Sequence, residues 1–280
     1  MTNCIKLNLA RNCLKYLIRK YGIREIFIPY YTCETVWQAA REQNCKVKFY
    51  HINKNFMPSD ETIFSPEDFI LYINYFGLFE QNCNELSKRY KNLIIDNTHG
   101  FYAKHCGLAS FNSLRKFFPL TCGAFLFTNQ AQDLNLPTDT LNLEIATIQD
   151  KYEQFVQNEL KLNRQKEIKL INPQVLTEFE QIDFEKDKKT RIELYQKYSQ
   201  KLDKYNKLKI KLSQGSIPYC YPFSPADEKV KNLIINNKLI LLHLWKNFPN
   251  NTPESKFLND ITALPLNDIN YSEKIISVFE

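Results

Sequence analysis

Apolar runs alternate with helix-like stretches from about residue 24 to residue 128, and this alternation limits the fold more than any other feature. The runs are rich in β-branched and aromatic residues and predict strands at residues 25–29, 46–52, 69–74, 92–96 and 123–128. Polar and apolar spacing predicts helices at residues 13–21, 32–43 and 81–90. Strands that alternate with helices predict an α/β fold, with a mixed, mostly parallel sheet covered on both faces.

The sequence changes character after about residue 135. Two long charged segments, residues 141–167 and 183–211, have helical periodicity and contain no glycine. Strand-like runs then follow at residues 217–222 and 239–245, with helical patterns at residues 227–237 and 271–279. We therefore predict a large α/β domain over residues 1–135, and connecting helices with a smaller C-terminal α/β domain over residues 136–280.

Composition excludes several classes of function. The 280 residues are 44% hydrophobic and 24% charged, as in ordinary globular proteins, and no apolar run approaches the ~20 residues of a membrane span. We expect a cytoplasmic protein that does not bind membranes, because the N-terminus lacks a signal pattern. The net charge of +6 has no basic tail, so we expect no nucleic acid partner. Eight scattered cysteines without a C-x-x-C pair and four dispersed histidines predict no metal site.

Three polar or aromatic loops follow predicted strands, at residues 29–32, 74–77 and 96–99. In open α/β sheets, ligands bind outside the carboxyl ends of the strands, where such loops converge. These loops therefore predict one common site.

Asp96 closes the apolar run at residues 92–96, and Lys116 follows it in an aromatic segment. A lysine that forms a Schiff base with pyridoxal 5'-phosphate (PLP) requires a carboxylate opposite the pyridine nitrogen, typically at the end of a buried strand. The flanking Phe111, Phe117 and Phe118 favour a desolvated Lys116 amine with a lowered pKa. The pair predicts a PLP enzyme, and the alternative is that Asp96 caps a turn or pairs with an arginine.

Two further positions extend this candidate site. His99 is placed to stack on the cofactor ring, or to form a hydrogen bond with the phenolic oxygen of the ring or with Asp96, and the alternative is a structural histidine. Ser113 is a candidate contact for the cofactor phosphate, with Ser110 as its competitor.

The start of the first predicted helix is a candidate phosphate site. Its backbone N–H groups at Ala10, Arg11 and Asn12 would face the anion, and the Arg11 side chain would add charge. An ordinary capped first helix is the alternative.

Several segments together resemble the DegT/DnrJ/EryC1/StrS family of PLP-dependent sugar aminotransferases. They are Ile-Pro-Tyr-Tyr-Thr-Cys at residues 28–33, Asn-Tyr-Phe-Gly at 74–77, Ile-Asp-Asn-Thr-His at 95–99, Ser-Phe-Asn-Ser-Leu-Arg-Lys at 110–116, Gly-Ala at 123–124 and Ala-Leu-Pro-Leu at 263–266. Their order and spacing extend the resemblance over nearly the whole chain.

The resemblance implies a fold-type-I PLP-dependent aminotransferase that forms a homodimer. It assigns the Schiff base to Lys116, the pyridine nitrogen to Asp96, the ring oxygen to His99 and the phosphate to Ser113 or Ser110. The Ala10-Arg11 pair lies where the family usually has Gly-Thr.

The sequence departs from the family in three places. It begins almost at the phosphate loop, so we expect a short variant with a truncated N-terminus. The Gly/Glu-rich turn after the lysine is replaced by residues 118–123, and the family's Asn-Tyr-Arg motif has no clear counterpart among Asn158, Asn163 and Asn172.

The resemblance implies transfer of an amino group from an amino acid, with glutamate as the expected donor, to a keto group of a nucleotide-linked sugar. Such a reaction would serve the biosynthesis of surface polysaccharides or glycans. The alternatives are another PLP reaction, such as decarboxylation of an amino acid, and a catalytically inactive family member that acts as a binding protein.

Overall fold

The computed structural model describes residues 3–130, 135–245, 249 and 251–280. Its largest element is a seven-stranded sheet. In chain order, its strands are β1 (Asn3–Leu7), β2 (Glu25–Pro29), β3 (Lys46–Tyr50), β4 (Ile70–Ile73), β5 (Leu93–Asn97), β6 (Ala109–Asn112) and β7 (Ala124–Thr128).

The strands lie in the order β1-β7-β6-β5-β4-β2-β3. Strand β7 is antiparallel to both of its neighbours, β1 and β6, whereas the remaining pairs are parallel. Six strands therefore run in one direction, and the predicted mixed, mostly parallel sheet is confirmed. Every residue of β4 and β5 is buried, as expected for central strands covered on both faces.

Three of the helices between these strands agree with the sequence prediction to within a few residues, and the fourth was not predicted. They are α1 (Ala10–Tyr21), α2 (Glu34–Arg41), α3 (Glu80–Arg89) and the short α4 (Leu114–Phe117). Gly22 ends α1 in the left-handed conformation, with φ of 60°. The residue before α1 is Leu9, whose apolar side chain cannot cap the first N–H groups of the helix.

The second half of the chain carries a three-stranded antiparallel sheet in the order β8-β10-β9. In chain order, the helices and strands of this half are α5 (Tyr152–Asn163), α6 (Pro173–Glu180), α7 (Phe184–Leu202), β8 (Cys220–Phe223), α8 (Glu228–Asn236), β9 (Leu242–His243), α9 (Ser255–Leu258), β10 (Thr262–Pro265) and α10 (Ile269–Ser277). The domain boundary near residue 135 stays a prediction.

Several predictions for this half were wrong in extent. Residues 141–151 are not helical, and the helix predicted over residues 183–211 ends at Leu202, before a 3-10 turn at Asp203–Tyr205. The strand predicted over residues 239–245 is two residues long. Of the helices in the described part of the chain, none combines the length and the apolarity that a membrane span needs.

Candidate active site

Asp96 lies near the carboxyl end of β5, where the apolar strand meets a polar loop. Its side chain is buried, and its Oδ1 accepts a hydrogen bond of 2.8 Å from the Thr98 backbone N–H. Burial raises the pKa of Asp96, while the charge of Lys116 and the hydrogen bonds from Thr98 oppose that rise. The carboxylate therefore depends on nearby positive charge to stay ionised.

Lys116 lies on α4, in the connection from β6 to β7. The next two residues, Phe117 and Phe118, are buried and fix the short helix. The Lys116 Nζ lies 3.4 Å from the Thr98 Oγ1. Burial lowers the pKa of Lys116, and the charge of Asp96 partly restores it. A cavity-facing lysine with this pKa supplies a neutral amine more readily than a surface lysine.

His99 is buried behind the cavity in an aromatic stack. Its ring lies parallel to Tyr219 at a centroid distance of 4.4 Å and to Trp245 at 5.5 Å. Burial lowers the pKa of His99 well below its usual range, and the charge of Lys116 lowers it further. The His99 Nδ1 has no hydrogen-bond partner among the described residues.

The loop at Tyr75–Gly77 packs closely on the His99 segment. Gly77 has φ of 73°, and a Cβ at this position would collide with the backbone carbonyl oxygen of His99. The close approach of backbone to backbone therefore requires glycine here, and it helps to fix His99.

The N-terminus of α1 reaches the same cavity through Ala10 and Arg11. The Asn12 N–H instead bonds to the Leu9 carbonyl at 3.0 Å, and its side chain bonds to the Asn8 Oδ1 at 2.9 Å. The structure thus brings Ala10 and Arg11 to the candidate site and places Asn12 outside it.

Helix α5 holds two arginines at the edge of the cavity. The Arg11 Nη1 donates to the Asn163 Oδ1 at 2.8 Å, and Arg115 forms a two-point ion pair with Glu159. Burial lowers the pKa of Arg11, and the charge of Arg115 adds to that effect. The Arg11 guanidinium beside a helix N-terminus favours an anionic ligand, whereas Glu159 offsets the charge of Arg115.

The two candidate serines lie on opposite faces of the sheet. Ser113 lines the cavity with Lys116, whereas Ser110 lines a separate cavity and lies 2.8 Å from the His105 Nδ1. Side chains alternate along β6, so a serine at position 110 faces away from the side that carries Asp96.

The resulting cavity encloses about 150 Å³. It brings together five of the residues that the sequence suggested: Ala10, Arg11, Asp96, Ser113 and Lys116. His99 lies beside this set, and Asn12 and Ser110 lie outside it.

No protein-family model and no curated protein sequence matches this chain. Its fold, however, matches solved structures over almost its full length. A DegT/DnrJ/EryC1/StrS aminotransferase from Brucella abortus is 14% identical, with a TM-score of 0.64, over 99% of this chain and 85% of that protein. The sugar aminotransferase CalS13 from Micromonospora echinospora is 9% identical, with a TM-score of 0.66, over 98% of this chain and 86% of that protein.

The chain has the fold of these aminotransferases. NtdA from Bacillus subtilis, solved with its cofactor PMP bound, shares this fold at 14% identity and a TM-score of 0.64, over 99% of this chain and 72% of NtdA. The resemblance seen in the sequence is thus confirmed at the level of the fold, and so is the predicted fold-type-I α/β architecture.

Within this aminotransferase fold, the structure adds cavity residues that sequence reasoning did not identify. Two of them, Thr32 and Thr98, lie in loops that the sequence had marked as converging. Arg115 directly precedes Lys116, so the prediction for Lys116 could have drawn attention to Arg115. Glu159 and Trp245 had no local signal, because only the tertiary fold brings them to the cavity.

Proposed function

We propose that this protein is a PLP-dependent aminotransferase that moves an amino group from an amino acid to a keto group of a nucleotide-linked sugar. One observation carries the proposal: Lys116 and Asp96 line the same cavity, and their charges influence each other. That cavity lies at the carboxyl end of β5 in a fold shared with known aminotransferases.

The residues present fit PLP. The N–H groups at the start of α1, the Arg11 guanidinium and the Ser113 hydroxyl would hold the phosphate. Thr32 lines the same cavity, and its buried Oγ1 has no hydrogen-bond partner within the described ranges. A buried polar atom without a partner is costly, so it is best explained by a polar ligand. When bound, PLP supplies the electron sink that stabilises negative charge at the α-carbon of an amino acid.

Asp96 and Lys116 would divide the chemistry between them. The Asp96 carboxylate would accept a hydrogen bond from the protonated ring nitrogen of bound PLP and would keep the proton there. The Lys116 amine, with its pKa lowered by burial, is suited to accept a proton from the substrate α-carbon and to return it. The stack of His99, Tyr219 and Trp245 excludes water behind these groups.

The substrate assignment rests on charge and on the related folds. CalS13, which shares this fold, is a sugar aminotransferase. The net charge of +6 suits an anionic nucleotide diphosphate. Glutamate as donor, a place in polysaccharide or glycan biosynthesis, a homodimer and a cytoplasmic location belong to this proposal as expectations.

The test begins with the purified protein, PLP and glutamate. We expect borohydride to attach PLP covalently to Lys116, as found by peptide mass, and glutamate to be converted to 2-oxoglutarate. Lys116→Met should abolish both results, while the exposed Lys104→Met should retain both. Attachment of PLP at other lysines with none at Lys116 would contradict the assignment.

Two other results would redirect the assignment. Release of carbon dioxide from amino acids without 2-oxoglutarate would identify a decarboxylase. Binding of a nucleotide-linked sugar without any binding of PLP would identify an inactive relative that acts as a binding protein.

A further inference from the structure

Arg191 is a buried cation on α7, and its side chain is 1% exposed. Its Nη2 donates to the Phe117 carbonyl oxygen at 2.5 Å, and its Nη1 donates to the Tyr219 carbonyl oxygen at 3.1 Å. Its Nε bonds to the Asp187 Oδ2 at 2.8 Å, which supplies the counter-charge. Each part of the guanidinium thus has its own acceptor.

The two carbonyl groups belong to the segments that carry the candidate chemistry. Phe117 directly follows Lys116 on α4, and the Arg191 guanidinium also lies over the Phe117 ring at 4.5 Å. The Tyr219 ring stacks on His99, and the Lys116 Nζ lies 5.9 Å from the centre of that ring. One side chain therefore joins the lysine segment to the segment that supports the histidine.

We propose that Arg191 is a positioning residue that fixes the Lys116 amine and the His99 ring relative to each other through the Phe117 and Tyr219 carbonyl groups. The proposal rests on the proposed function for the roles of Lys116 and His99. It assigns Arg191 no contact with substrate or cofactor.

The chemistry of arginine fits this task. A planar guanidinium donates in several fixed directions at once, whereas the lysine ammonium is a single point on a flexible stem. Asp187 is itself held by the Tyr102 hydroxyl at 2.7 Å, so the guanidinium is anchored at its Nε as well. A lysine at position 191 would reach one carbonyl group but would not fix both.

The test measures how readily the Lys116 amine is methylated by formaldehyde and a mild borohydride reagent across a range of pH, by peptide mass. This reaction does not require PLP, and its midpoint reports the pKa of the amine. Arg191→Met should loosen α4 and admit water, so the midpoint for Lys116 should rise by about one pH unit. The charged groups that face Lys116, including Asp96 and Glu159, are unchanged in this variant.

Tyr195→Phe is the matched control on the same helix. It removes a partly buried hydrogen bond of 2.8 Å to the Ile210 carbonyl, touches neither the Phe117 nor the Tyr219 carbonyl, and should lower stability without moving the methylation midpoint. Arg191→Lys should give a smaller shift in the same direction as Arg191→Met. If Arg191→Met does not fold, Arg191→Lys carries the test.

An unchanged midpoint in folded Arg191→Met, with only a lower melting temperature, would overturn the positioning role and leave a structural one. An unchanged midpoint in Arg191→Lys would do the same if that variant alone folds. In the Arg191 variants, the rate of PLP attachment at Lys116 should fall as the methylation midpoint rises, because less of the amine is neutral. If wild type attaches no PLP, the proposed function fails, whereas the methylation midpoints still decide the case for Arg191.

Discussion

The two faces of the sheet at β5 and β6 both bury polar groups, but they treat them differently. On one face, Asp96 and Lys116 line a cavity and depend on each other's charge against the cost of burial. On the other face, Ser110 pairs with His105 at 2.8 Å and Asn97 accepts from the amide of the preceding loop at 3.0 Å. The first face therefore presents charged side chains to a cavity, whereas the polar side chains of the second face are hydrogen-bonded within the protein.

Whether a buried polar group has a partner within the protein distinguishes functional residues from stabilising ones more clearly than its degree of burial does. Groups on the second face have partners within the protein, as most buried polar groups do. On or beside the first face, the Thr32 Oγ1 and the His99 Nδ1 have none among the described residues. Changes on the first face should therefore affect chemistry, and changes on the second face should affect folding.

The largest contrast is expected between Asp96→Asn and Asn97→Ala. Asparagine keeps the shape and the acceptor for the Thr98 N–H, but an amide cannot hold the ring nitrogen protonated, so turnover should fall by about 10³-fold. Asn97→Ala removes the hydrogen bond from the Asn74 amide and should cost about 1–3 kcal/mol of stability with turnover retained. Single-turnover kinetics and urea unfolding measure both, and near-full turnover in Asp96→Asn would contradict its assigned role.

A smaller contrast is expected between the two serines. Ser113→Ala should weaken PLP binding about tenfold, because a hydrogen bond to a charged phosphate is lost. Ser110→Ala should leave PLP affinity unchanged and lower stability by about 1 kcal/mol through loss of the bond to His105. A fluorescence titration with PLP measures the affinity, and equal weakening in both variants would erase the proposed difference between the faces.

The sequence predicted the first half of the fold well because its central strands are apolar on both faces. Strands β1 and β6 were missed, since β1 is an edge strand with exposed polar residues and β6 carries the polar residues Ser110 and Asn112. Their strand conformation depends on pairing with β7, which local sequence does not reveal.

In the second half, short polar side chains interrupt patterns that look helical. Thr147 and Asp150 form a closed turn, with the Asp150 N–H bonded to the Thr147 Oγ1 at 3.0 Å, just before α5 begins. Asn206 accepts from the Leu208 and Ser224 N–H groups and ends the helical run after α7. Such side chains offer the backbone an alternative to the helix.

The sequence pointed to cavity residues that lie in the first half of the chain and did not point to those that distant segments bring there. Asp96 and Lys116 were found because one closes an apolar strand and the other follows within the same half of the chain. Glu159 reaches the cavity from α5, and Trp245 reaches it from beyond β9. No local sequence pattern predicts that these two side chains reach the cavity, because their positions depend on how the C-terminal part of the chain packs on the large sheet.

The smallest contrast concerns the two histidines that belong to the two faces, His99 and His105. Burial lowers the pKa of both, and that of His99 falls well below the value of about 6.5 in the unfolded chain. As pH falls through 6.5, the unfolded state takes up the proton first, so the folded state loses stability. Between about pH 7 and pH 5, His99 should lower the free energy of unfolding of the wild type, and the limit for a histidine that stays neutral when folded is about 2 kcal/mol.

His99→Phe should remove this loss while keeping an aromatic ring between Tyr219 and Trp245. His105→Phe should recover less, because His105 is only half-buried and its pKa is lowered less strongly. Urea unfolding of the three proteins at both pH values measures the difference. A His99→Phe curve that falls in parallel with wild type would show that His99 takes up its proton equally in both states, so burial beside Lys116 would not lower its pKa as argued here.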